Sequence, residues 1–151
     1  MTIHNDELYQ QVILEHNKRP KNFVKLEVCT HQAEGYNPLC GDHLNVYLNV
    51  SPAGIIDEVT FQGDGCAISK ASASMMTAAI KGKTVDEARH LFEEFHHLLT
   101  KELDPATQTN HLGKLTVFSG IWKYPSRVKC AVLAWRTMKG ALDQEKSVAT
   151  E

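Results

Sequence analysis

The chain has no surplus of positive charge, no long apolar run and no closely paired cysteines, and each absence removes a class of function. Lys and Arg total 16 against 18 Asp and Glu, a net charge of −2. A dedicated nucleic-acid binder would carry a basic face, so that class is set aside. No apolar stretch approaches the roughly 20 residues a membrane helix needs, so no membrane role is expected. The opening Met-Thr-Ile-His-Asn-Asp-Glu has neither the basic nor the apolar region of a secretory leader, and a cytoplasmic protein is expected. Internal repeats and low-complexity tracts are also missing. Cysteine is sparse, at positions 29, 40, 66 and 130. The gaps of 26 and 64 residues between the last three match no zinc ribbon or finger, whose ligands come in close pairs.

What remains is an ordinary globular composition, 42% hydrophobic and 23% charged over 151 residues. That is enough chain for one real core, and a single domain spanning 1–151 is expected. In a reducing compartment, four cysteines in such a chain point to metal binding or thiol chemistry rather than disulfides.

The pattern alternates between the two periods of secondary structure. Residues 6–18 read as an amphipathic helix that Pro20 ends, with Tyr9, Val12, Ile13 and His16 on one stripe. His16 in that setting is expected to be packed and hydrogen-bonded rather than ligating. Residues 21–36 carry a weak signal, with Leu26, Val28 and Thr30 suggesting a strand that contains Cys29, read as an inert thiol. From His43 to Val50 the alternation is clean, with Leu44, Val46, Leu48 and Val50 on one face. Ile55–Gln62 forms the returning strand of a hairpin. A helix begins after Gly63-Asp64-Gly65-Cys66, and Gly82 supplies its stop. Thr84 with Glu87 makes a capping box for a helix reaching about Thr100, with Glu93, Glu94 and His97 turned outward. Pro105 breaks the pattern, a short helix is expected near His111–Phe118, and Ser126 is read as the cap of a last helix from Arg127 to about Leu142. Residues 143–151 look like a flexible tail.

Three of the cysteines sit in contrived places. Cys40 and Asp42 flank Gly41 in the turn Asn37-Pro38-Leu39-Cys40-Gly41-Asp42, so one backbone excursion offers a thiol and a carboxylate together. Cys66 lies at a strand-to-helix junction, where free backbone N–H groups and the helix dipole favour a thiolate. Cys130 lies near the start of the last helix just after Arg127 and Lys129, two cations able to offset negative charge. Three thiolates and a carboxylate complete a tetrahedral zinc shell. The same thiols could hold an iron–sulfur cluster. Spacing alone leaves equally open an α/β domain with reduced, buried cysteines.

These residues resemble the IscU/NifU-like iron–sulfur cluster assembly proteins, and within them the SufU type. The resemblance runs from Leu8-Tyr9 through His16, Pro20 and Asn22, through the Asn37–Asp42 turn and Gly63–Met76, to Arg127-Val128-Lys129-Cys130-Ala131 and Trp135. The IscU-like branch has His immediately before its third cysteine, whereas Lys129 stands here. The stretch around 99–124 reads as an insertion, another SufU-like feature.

The resemblance implies an α+β fold, a small antiparallel sheet of about three strands with helices on one side (SufE/NifU-like). It implies zinc held by Cys40, Asp42, Cys66 and Cys130. Cys40, with Arg127 beside the site, would carry the chemistry by accepting persulfide sulfur from a cysteine desulfurase of the SufS type. Downstream iron–sulfur assembly or acceptor proteins would then receive it. Two rivals stay open: a scaffold assembling and transferring a [2Fe–2S] cluster, and a structural zinc domain that recruits partners. Whether the chain counts as an enzyme, a zinc-dependent sulfurtransferase, is left open, as is its oligomeric state.

Overall fold

The computed structural model describes residues 5–150. Its elements run α1 (Asn5–Lys18), β1 (His31–Asn37), β2 (Asp42–Val50), β3 (Ile56–Asp64), α2 (Ala67–Ile80), α3 (Val85–Leu99), α4 (Pro125–Leu142) and β4 (Ser147–Ala149). Among the described residues no helix is long and apolar enough to cross a membrane.

The sheet has the order β3-β2-β1-β4. β1, β2 and β3 are antiparallel neighbours, the three-stranded unit that the resemblance implies, while β4 adds a fourth strand parallel to β1. The apolar face of β2 (Leu44, Val46 and Leu48, each 0% exposed) meets Phe61, Trp135 and Leu133 in one core. Trp135 stacks on Phe95 of α3 at 4.7 Å between ring centroids, which draws α3 onto α4.

β1 was not anticipated. Its sequence, His-Gln-Ala-Glu-Gly-Tyr-Asn, buries Ala33, Gly35 and Asn37 in strict alternation. The period of two is present, but small and polar residues carry it, so hydrophobic alternation does not report it. The reason is α4: a Cβ at Gly35 would overlap the Thr137 hydroxyl. Gly35→Ala is expected to destabilise the fold by about 1–3 kcal/mol. Thr137→Ala in the same chain should recover part of that loss, a comparison made by chemical denaturation. The strand expected over Leu26–Thr30 is absent, and that stretch is irregular.

One capping expectation is corrected. Ser126 does not cap α4; the helix opens with Pro125 at its first position, where the missing N–H and fixed φ cost nothing. The short helix expected near His111–Phe118 is present, as a 3-10 helix over Gly113–Phe118. Within the tail, Ser147–Ala149 pairs with β1 and Val148 faces Gly140, while residues 143–147 and 149 are exposed; Glu151 lies outside the described residues. A three-residue strand is too short to show a period of its own. The capping box at Thr84 and Glu87 and the αL turn at Gly82 (φ 83°) match the sequence reading, and His16 bonds the Ser74 hydroxyl at 2.7 Å.

Candidate metal centre

Asn37-Pro38-Leu39-Cys40-Gly41-Asp42 is the hairpin turn between β1 and β2, with Asn37 and Asp42 as its closing pair. The Asn37 carbonyl accepts the Gly41 N–H at 2.9 Å and the Cys40 N–H at 3.3 Å. Gly41 has φ 73°, the left-handed geometry this close reversal requires. Cys40 is therefore presented, exposed, on a short and internally bonded loop.

β3 returns to the same end of the sheet and leads through Gly65 into α2, whose N-cap is Cys66. The Cys66 sulfur accepts the Ser69 N–H at 3.4 Å, a capping role more often filled by a hydroxyl. Cys130 reaches this point from α4 and is 3% exposed. Its sulfur lies 3.5 Å from that of Cys40. Asp42, 2% exposed, has both oxygens engaged. Oδ1 accepts the Cys66 N–H at 2.8 Å, and Oδ2 accepts the Ser69 hydroxyl at 2.7 Å. The Cys66 sulfur stands 4.0 Å from Oδ2.

The donor atoms of Cys40, Asp42 and Cys130 all lie within 4.8 Å of one another, with Cys66 against the same carboxylate. A zinc tetrahedron with Zn–S bonds of about 2.3 Å has sulfur–sulfur edges of about 3.8 Å. The observed 3.5 Å separation fits with a small outward movement. Three thiols and one carboxylate, gathered from three distant stretches of chain, are a donor set suited to zinc.

The two inner thiols are held in opposite states. The Cys66 thiol is pulled down to about 6 by its hydrogen bond with Cys130 first, the Ser69 amide adding to it against the opposing effect of burial. Cys130 is pushed up by the same bond and by burial. The start of α4 offers the Cys130 sulfur no free amide. Cys130 sits five residues past Pro125, beyond the first turn whose amides are free. Cys29, 3.5 Å from the Gln32 side chain, has its thiol raised by burial and no anion-stabilising neighbour.

Arg127 is not brought onto the thiols. Its guanidinium lies over the Tyr124 ring, 4.3 Å from the centroid, in a recess of about 370 Å³ shared with Tyr9 and Lys123. No hydrogen bond or ion pair joins Arg127 or Lys129 to the cluster among the described residues. Two residues that sequence reasoning missed are Asn37 and Ser69. The buried Asn37 amide points its NH₂ at Asp42 Oδ2 (3.4 Å) and at the Cys130 sulfur (3.5 Å). Ser69 fixes the carboxylate. The one available signal was Ser69's position three residues after an N-cap cysteine.

Comparison with known proteins places this geometry in context. The NifU-like N terminal domain family matches residues 8–142. The chain is 38% identical over 147 residues to the zinc-dependent sulfurtransferase SufU of Bacillus subtilis, covering 97% of this chain and 92% of that protein. It is 39% identical over 135 residues to the iron–sulfur cluster assembly scaffold protein IscU of Thermotoga maritima, covering 89% and 92%. Among solved structures, the SUF-system protein FiSufU of Fervidobacterium islandicum AW-1 superposes with a TM-score of 0.81 at 34% identity, covering 90% of this chain and 97% of that one.

Proposed function

Because the chain belongs to the NifU-like N-terminal domain family of iron–sulfur cluster assembly proteins, we propose that it is a zinc-bound sulfur acceptor. It takes persulfide sulfur from a cysteine desulfurase on Cys40, in the cytoplasm, and passes it to a downstream assembly partner. The observation that carries this reading is an exposed thiol, Cys40, held 3.5 Å from a buried one, Cys130, beside a fixed carboxylate. Cys40, Asp42, Cys66 and Cys130 would hold the metal. Bound zinc would keep the thiols ionised and protected from oxidation.

The chain's own residues account for the transfer. Cys40, as thiolate, attacks the outer sulfur of the desulfurase persulfide. A new S–S bond forms on Cys40, the old one breaks, and its electron pair leaves with the desulfurase thiolate. No net oxidation occurs. The Cys130 sulfur lies 3.5 Å from that of Cys40, and the Asn37 NH₂ donates to Cys130 and holds it there. Cys40 is the only one of the four cysteines that is fully exposed, and Leu39 beside it is 66% exposed. An unpartnered apolar side chain next to the reactive thiol suits a docking protein. Arg127, on its exposed ring platform, is placed to meet that partner rather than the metal.

A [2Fe–2S] scaffold is the second reading, favoured by the identity to IscU. It has one candidate ligand fewer here, since Lys129 stands where that branch has His. The experiment is metal analysis with a visible spectrum of fresh protein, plus desulfurase turnover with and without it. Colourless, stoichiometric zinc and stimulated turnover are expected. Reddish-brown protein carrying iron and sulfide would favour the scaffold.

A further inference from the structure

A second group of metal-type donors stands on α3, apart from the thiols. His90 and Glu94 are four residues apart, so their side chains share one face of the helix. His111 reaches the same face from the segment that follows α3. The Glu94 Oε2 atom lies 3.1 Å from His90 Nε2 and 2.8 Å from His111 Nδ1. All three donor atoms fall within 4.8 Å of one another.

Glu94 is not the outward-facing charge expected from its place in the helix pattern. Its side chain is only 12% exposed, and its second oxygen, Oε1, accepts the His111 backbone N–H at 2.7 Å. The carboxylate is thereby fixed in position before any ion arrives. The two imidazoles are 67% and 72% exposed, so they can be reached and can adjust. They also line a cavity of about 600 Å³ with Met75, Leu91, Leu112 and Leu115, and Lys83, Lys114 and Asp86 stand around the same opening.

A single carboxylate oxygen facing two ring nitrogens is the arrangement that a cation bridges. With bonds of about 2.0–2.1 Å, a tetrahedral ion sets its ligand atoms about 3.3–3.4 Å apart. The observed 2.8 and 3.1 Å edges to Glu94 open by a few tenths of an ångström, and the His90–His111 edge, within 4.8 Å, closes by rotation of two exposed rings. The donor set has no thiolate, which separates its preference from that of the cysteine cluster. Two imidazoles and a carboxylate suit borderline divalent ions, and three ligands leave a position open to water.

We propose that His90, Glu94 and His111 form a second metal site, taking a borderline divalent cation of the zinc, cobalt or ferrous class. An ion there ties the segment after α3 to the helix, near the middle of the stretch that reads as an insertion. It is independent of the thiol centre in ligands and in location.

Cobalt(II) separates the two sites, because cobalt on thiolates gives intense near-ultraviolet charge transfer while cobalt on imidazole and carboxylate gives only weak visible bands. Tag-free full-length protein, with zinc in its thiol centre, is titrated with cobalt(II) by calorimetry and absorbance. One further equivalent is expected, without new sulfur charge transfer and with a rise in Tm. Its affinity should fall at least about tenfold in His90→Ala and in His111→Ala, both exposed positions where folding is unaffected, and stay unchanged in Cys40→Ala. Absence of a second equivalent, or a second equivalent that survives His90→Ala/His111→Ala, overturns the site. Either result leaves the zinc and sulfur-transfer reading of Cys40 untouched.

Discussion

Cys40→Ala is expected to reduce persulfide formation on the chain by at least about a thousandfold while leaving the fold intact. The thiol is exposed on a four-residue turn whose shape comes from backbone bonds to the Asn37 carbonyl and from Gly41, not from sulfur packing. Removing it therefore takes away the nucleophile at little structural cost. The other thiols cannot substitute. Cys130 is buried with its thiol pushed up, and Cys66 is half-covered as the cap of α2. Cys29→Ala, as control, should transfer sulfur like the parent chain, since Cys29 has no neighbour that stabilises a thiolate. Mass spectrometry after incubation with a cysteine desulfurase and free cysteine reads both variants. Full transfer by Cys40→Ala would end the proposal.

Asp42→Asn should weaken zinc binding at least about tenfold and reduce sulfur transfer with it. The replacement keeps the shape of the side chain and an oxygen to accept the Cys66 N–H. It removes the negative charge and turns an NH₂ toward Ser69 and Asn37, both of which donate to the native carboxylate. Asp42→Ala should bind zinc as poorly and also be less stable, by about 1–3 kcal/mol. The Cys66 N–H then loses its acceptor, and the buried Ser69 hydroxyl keeps only the longer bond to the Cys130 carbonyl at 3.2 Å. Competition against a chromophoric chelator measures the first effect and urea unfolding the second. Unchanged zinc affinity in both variants would remove Asp42 from the centre.

The parts of this protein legible in its sequence are those where a local rule and a tertiary role coincide. β2 shows its apolar alternation because one face packs the core. α3 shows its start because Thr84 and Glu87 cap it reciprocally. Cys40, Asp42 and Cys66 stood out because each sits beside a glycine that serves a turn. The hidden parts are those in which a distant element decides. β1 buries Ala33, Gly35 and Asn37 because α4 lies close against it, and no window of seven residues contains that fact. β4 exists only as an addition to the edge of β1. Asn37 and Ser69 serve the site through hydrogen bonds that span 93 and 27 positions. Glu94 looked like solvated helix surface until the chain around His111 folded over it. Arg127, read from its place in the sequence as a counter-charge for the thiols, has its guanidinium over Tyr124, three residues before it, a contact that the charge pattern alone does not report.

The central claim is that Cys40, Asp42, Cys66 and Cys130 converge on one zinc ion, and zinc-edge X-ray absorption of freshly purified protein tests it most directly. Three sulfur neighbours at about 2.3 Å and one oxygen at about 2.0 Å are expected for the thiol centre. In His90→Ala/His111→Ala, which removes the second proposed site, the same three-to-one ratio should stand alone. A zinc environment with fewer than three sulfurs in that variant would contradict the account.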